Sequence, residues 1–189
     1  MMERIAEASP RLKARIAGAF YLLSVVTAAF TEIFVHGSLN IAGGLVAVSI
    51  MVAVTLLLYE LFKAVNRGLS LLAALLGLVG LTFEAFRWQP QGVNIAIVFA
   101  GFYCLLIGYL IFKSAFLARI LSALMAIAGL GWLTFVSPPL VKYLSPYNLA
   151  IAFFAEASVF AWLLVKGVNA QRWKEQASAA WSSEGQSGS

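Results

Sequence analysis

The stretch VNIAIVFAGFYCLLIGYLIF, residues 93–112, decides the fold. It runs for twenty residues with no charge and a single amide side chain. At about 1.5 Å per residue a helix of that length is about 30 Å long, which is the thickness of a bilayer's hydrocarbon core. The linker KSAFLA follows, then a second apolar run, ARILSALMAIAGLGWLTFVS, near 118–137. Working outward, four more runs of comparable length lie near 15–36, 41–62, 69–88 and 148–166. Their connections are short (HGSLN, KAVNRG, QPQG, PPLVKYLSPY), so neighbouring spans must be antiparallel. Pro90, Pro138, Pro139 and Pro146 all fall between spans, where a missing N–H is harmless.

Composition agrees. The chain has 189 residues, 62% of them hydrophobic and 11% charged, with a mean hydropathy of +0.91. Soluble domains carry about 25% charged residues. A soluble core of this length could not hide so much apolar surface. The reading is therefore all-α: a polytopic membrane protein, a six-transmembrane-helix bundle at 15–166. Before it lies an N-terminal segment, 1–14, which has no cleavable signal shape. After it comes a polar tail, 167–189, expected to lack order in its last third unless Trp173 and Trp181 lay it on a membrane or partner.

Charge gives the orientation. Arg4, Arg11, Lys13, Arg15, Lys63, Arg67, Lys113, Arg119, Lys166, Arg172 and Lys174 fall on one side, and only Arg87 and Lys142 on the other. By the positive-inside rule both termini are expected to be cytoplasmic. Trp88, Trp132, Tyr143 and Tyr147 would form an aromatic belt at the outer surface. Bases that flank apolar runs face headgroups, so the pI of 9.6 does not imply nucleic acid. The lone Cys104 excludes a disulfide within one chain and reads as a small hydrophobe.

The acidic residues point to function. There is no Asp, and four of eight glutamates (Glu32, Glu60, Glu84 and Glu156) lie inside spans. A carboxylate at membrane depth costs roughly 2.5–3.5 kcal/mol on insertion scales, so something must satisfy it. Helical spacing puts Gly18, Tyr21, Val25, Ala28, Glu32 and His36 on one stripe of span 1. Ala73, Gly77, Gly80, Glu84 and Arg87 form another in span 3. Small residues on such stripes let membrane helices approach closely, so both glutamates are expected on packing faces. An outward-opening cluster of Glu32, His36, Glu84 and Arg87 results, with Glu156 as its floor near the midplane. Glu84 and Arg87, at i,i+3, suit an ion pair. Glu60 and Lys63 suit an interfacial pair. Ser24, Ser49, Ser122 and Ser158 read as interhelical hydrogen-bond groups. Glu32 and His36, at i,i+4, have metal-ligand chemistry, provided that Glu84 or Glu156 converges on them from another helix; Glu32, His36 and Glu84 are the candidate set. No GxSxG, Walker or HExxH motif is present.

The segments ARIAGAFYLLSVVTAAFTEIFV, LYELFKAVNRGLSLLAALLGLVG, CLLIGYLIFKSAFLARILSAL and FAEASVFAWLLVKGVN are similar, in order, to a bacterial family of six-span membrane proteins known only as a domain of unknown function. The resemblance implies a bacterial inner-membrane location and supplies no activity. Glu32 and Glu156 match the family pattern. Tyr103 stands where family members carry a histidine, and QPQG is shorter than their link between spans 3 and 4. Tyr103 thereby joins the candidates.

The expected function is an accessory subunit of a membrane complex or a bundle that binds a lipid or small ligand, without catalysis. A small-solute or proton-coupled carrier using the intramembrane glutamates is the first alternative, and an intramembrane metal-dependent enzyme the second. No cofactor is expected. The expected partners are the bilayer, other membrane subunits or a second copy of the chain, and no nucleic acid.

Overall fold

A computed structural model describes residues 9–187, with side chains through residue 180. The described residues are helical throughout, with no strand. The helices are α1 (Pro10–Phe34), α2 (Ser38–Phe62), α3 (Arg67–Ala85), α4 (Ile95–Lys113), α5 (Arg119–Leu133), the short α6 (Pro138–Leu144), α7 (Tyr147–Val165) and α8 (Ala170–Ser187). Six are long and apolar enough to cross a membrane: α1, α2, α3, α4, α7, and α5 with its 3-10 extension to Val136. Starts are written locally. Ser9, Asn66, Asn94 and Asn169 cap α1, α3, α4 and α8 by accepting backbone N–H bonds at 2.8–3.3 Å.

Each span packs on the next in sequence, and α7 returns to α1, so the six close into a ring. Small residues set the close approaches. A Cβ added at Gly18 of α1 would lie 2.6 Å from backbone atoms of Phe160 and Leu164 in α7. One at Gly129 of α5 would lie 2.9 Å from the Gly101 carbonyl of α4. The ring's outer surface is apolar: Val26, Phe30, Ile120, Leu130, Phe154 and Val165 are all exposed. In water such a surface would be untenable; in a bilayer it faces lipid.

At the Lys/Arg-rich end the interior of the ring is filled by apolar side chains. Leu58, Leu61, Phe62, Ile107, Leu110, Ile111, Leu121 and Phe160 are buried there. Tyr21 stacks on Phe160 with centroids 3.8 Å apart. Glu60 pairs with Lys63 at 2.8 Å, as the spacing implies, and also reaches Lys13 of α1 at 3.7 Å.

Polar composition hides how α8 behaves. The backbone stays helical through Ser187, against the expectation of disorder in the last third of the tail. Helix α8 seats on the chain's own bundle. The Trp173 indole donates to the Leu61 carbonyl at 2.8 Å, and Ala177 is buried. The Gln176 amide donates to the Lys113 carbonyl and accepts from the Ala115 N–H. These are carbonyls that the last turns of α2 and α4 cannot satisfy internally. The Trp181 side chain lies outside the described residues.

Candidate functional site

At the other end of the ring the interior opens. Helix α3 stops at Ala85 rather than running to residue 88. The Trp88 N–H bonds the Phe83 carbonyl, and Arg87 takes a left-handed φ of 50°. This is a reversed helix ending usually made by glycine. It turns Arg87 away from its own helix, which overturns the expected Glu84–Arg87 ion pair. The guanidinium instead crosses to α1 and α2. It pairs with Glu32 at 3.2 Å and donates to the Asn40 side-chain carbonyl. The Asn40 amide in turn donates to the carbonyls of Thr31 and Val35 at the end of α1.

Two expectations about α1 fail here. Gly18 and Tyr21 of the expected stripe are buried, but Glu32 is exposed: the packing face runs through Ala14, Ala17, Gly18, Tyr21, Ser24 and Thr31. From Tyr21 the buried face steps by three to Ser24, where the expected stripe steps by four to Val25, and that one-residue offset carries Glu32 off the face. His36 is exposed in the turn beyond α1 and joins no cluster. Glu32, His36 and Glu84 therefore do not converge. Among the described residues no three His, Cys, Asp or Glu side chains could hold a metal ion.

Because the Arg87–Glu32 pair is exposed, it contributes little to stability. Arg87→Ala is expected to cost less than about 1 kcal/mol in thermal or chemical unfolding. A loss of several kcal/mol would show that the pair is far better shielded than its geometry implies.

Two hollows meet at Glu84. The first is a vestibule of about 280 Å³ lined by Glu32, Glu84, Arg87, Trp88 and Asn94. The second is a cavity of about 140 Å³ among α2, α3, α4 and α7. Met51, Leu81, Ile97 and Ala100 give it apolar walls, and Glu84, Tyr103 and Glu156 its polar groups. Gly77 and Gly80 line it and let α3 approach α2 and α4 closely, since a Cβ there would meet Thr55, the Tyr103 ring and Phe99.

The polar groups are unequally satisfied. Buried Glu156 accepts one bond, from the Trp132 indole at 2.8 Å. Trp132 is thus turned inward and does not belong to the outer belt, whereas Trp88, Tyr143 and Tyr147 are exposed. Glu84, exposed at the mouth, makes no ion pair or side-chain hydrogen bond among the described residues. Tyr103 is 5% exposed, and its hydroxyl finds no partner. The Thr55 hydroxyl beside it donates to the Met51 carbonyl; its oxygen keeps room to accept, but the two hydroxyls lie outside hydrogen-bonding geometry. An unpaired buried hydroxyl costs about 1–3 kcal/mol, so its placement at a cavity wall carries meaning.

The predicted site therefore divides. Glu84, Tyr103 and Glu156 come together, Glu32 and Arg87 rim the vestibule, and His36 is absent from both. Sequence reasoning missed Trp132 and Asn40; the intramembrane placement of an indole and an amide was the available signal. Of the four serines, Ser24 bonds across helices, to the Ala47 carbonyl, while Ser49 and Ser158 bond within their own helix. Ser70, not among the four, also bonds across, to the Tyr59 carbonyl.

Residues 79–167 match the family model described as domain of unknown function DUF4386. The matched segment spans a little under half of the chain. It runs from the second half of α3 to the end of α7 and carries Glu84, Tyr103, Trp132 and Glu156. An uncharacterized protein of Archaeoglobus fulgidus is 27% identical over 139 residues, covering 68% of this chain and 83% of its own length. No solved structure matches the chain.

Proposed function

We propose that this protein is a non-catalytic membrane bundle that binds a small ligand in the cavity bounded by Glu84, Tyr103 and Glu156. The observation that carries the reading is the buried Tyr103 hydroxyl, unpartnered and set in the wall of an apolar cavity. The cavity is close in size to the engineered cavity of about 150 Å³ that takes benzene. Polar groups that converge on an apolar hollow are how small-molecule sites are built. The filled interior at the Lys/Arg-rich end and the seating of α8 there favour binding from one end over carriage through the bundle. Binding also takes precedence over docking on a larger complex, because the unsatisfied groups face inward. On this reading the Lys/Arg-rich end with α8 is cytoplasmic, the membrane is the bacterial inner membrane, and the vestibule faces outward.

Ala100→Leu tests the reading by filling the cavity from α4. Native mass spectra of gently extracted wild-type protein are expected to show a stoichiometric small-molecule adduct. The Ala100→Leu variant, with unchanged thermal stability, should lack it. A bare wild-type protein, or an adduct that survives in the variant, would contradict the proposal.

A further inference from the structure

The cavity has a charge character that narrows its ligand. Two carboxyl groups line it, Glu84 at the mouth and Glu156 within, and no Lys, Arg or His does. The nearby cation, Arg87, is spent on Glu32 and Asn40. Glu156 receives a single donor, while a carboxylate has room for about four. Every unsatisfied group here can act as an acceptor, and two of the three are acidic. An anionic ligand would meet like charge. A purely apolar ligand would leave Tyr103 and Glu84 as they are and gain nothing from them. A group of hydrated inorganic-cation ligands is also lacking, since no three acidic or imidazole side chains converge among the described residues.

We infer that the cavity's ligand is a small lipophilic amine, bound as its ammonium ion. This rests on the ligand-binding reading above. The ammonium has three N–H donors, which match the Tyr103 oxygen and the Glu156 and Glu84 carboxylates. The hydrocarbon part packs against Met51, Leu81 and Ile97. The Tyr103 ring adds a π-face of the kind that attracts ammonium groups. In the vestibule Arg87 offsets Glu32, which leaves Glu84, among the described residues, as the acidic side chain without an ion pair at the mouth.

Benzylamine and benzyl alcohol test this, because they share shape and differ in charge. Each is titrated calorimetrically into the full chain in lipid nanodiscs, with empty nanodiscs as the partitioning reference. Wild-type protein is expected to favour benzylamine by about tenfold or more, the scale of one charge-assisted hydrogen bond. Glu156→Gln keeps an oxygen for the Trp132 indole and should erase the preference while leaving benzyl alcohol binding in place. Tyr103→Phe should weaken both probes. Equal binding of both probes by wild-type protein would overturn the amine assignment and leave the cavity a ligand site. Binding of neither above the empty nanodiscs would overturn the assignment and the ligand-binding reading together. A preference unchanged in Glu156→Gln would place the selectivity elsewhere and also overturn the inference.

Discussion

Replacing Gly18 with leucine is expected to destroy the closed ring. Even a single Cβ at this position would sit 2.6 Å from the Phe160 carbonyl and the Leu164 amide nitrogen. Those are backbone atoms of α7, so no rotamer change relieves the contact. Helices α1 and α7 must separate, and theirs is the contact that joins the last span to the first. The stacked Tyr21–Phe160 pair lies three residues along α1 and would part with them. Overpacking of a yielding core costs about 1–3 kcal/mol; here the obstacle does not yield, so about 3 kcal/mol or more is expected. Thermal unfolding in detergent reads this directly. Gly44→Ala serves as the control. Its Cβ would meet only the Arg87 guanidinium at 3.6 Å, and the change should stay within about 0.5 kcal/mol. Equal stability of Gly18→Leu and wild type would show that α1 and α7 do not pack as described.

The second large effect is expected at Trp173. Its indole donates to the Leu61 carbonyl and its ring packs on the buried core. Trp173→Ala removes both, and a half-buried tryptophan with one such bond contributes about 2–3 kcal/mol. The loss falls on the attachment of α8 rather than on the ring. Limited trypsin digestion at Arg172 and Lys174 should therefore become fast in the variant while the six spans stay folded. Cleavage at the wild-type rate would mean that Gln176 and Ala177 alone hold the helix down.

The spans were legible because bilayer thickness demands long uncharged runs, and the run at 93–112 has no other reading. The Glu60–Lys63 pair was legible because both residues lie on one helix at contact spacing. What failed depended on turns and on other helices. Arg87 reaches Glu32 only because α3 ends early in a left-handed turn, and arginine is not the residue that announces one. Trp132 matches the composition of an interfacial belt, yet a glutamate one helix away turns it inward. Helix α8 has a polar composition, and its docking rests on Trp173, Gln176 and Ala177, three residues too sparse to register as an apolar stripe. Tyr103 stood out only as a departure from a family pattern. That its hydroxyl would lie beside Thr55 yet outside hydrogen-bonding geometry depends on how α2 and α4 pack, which spacing does not reveal.

An experimental density map of the wild-type protein, extracted in native lipid, shows directly whether the cavity is occupied. Non-protein density is expected in the hollow between Glu84, Tyr103 and Glu156, within hydrogen-bonding distance of the Tyr103 hydroxyl. Side chains packed across that space, with the Tyr103 hydroxyl bonded to the protein itself, would contradict the ligand-binding reading.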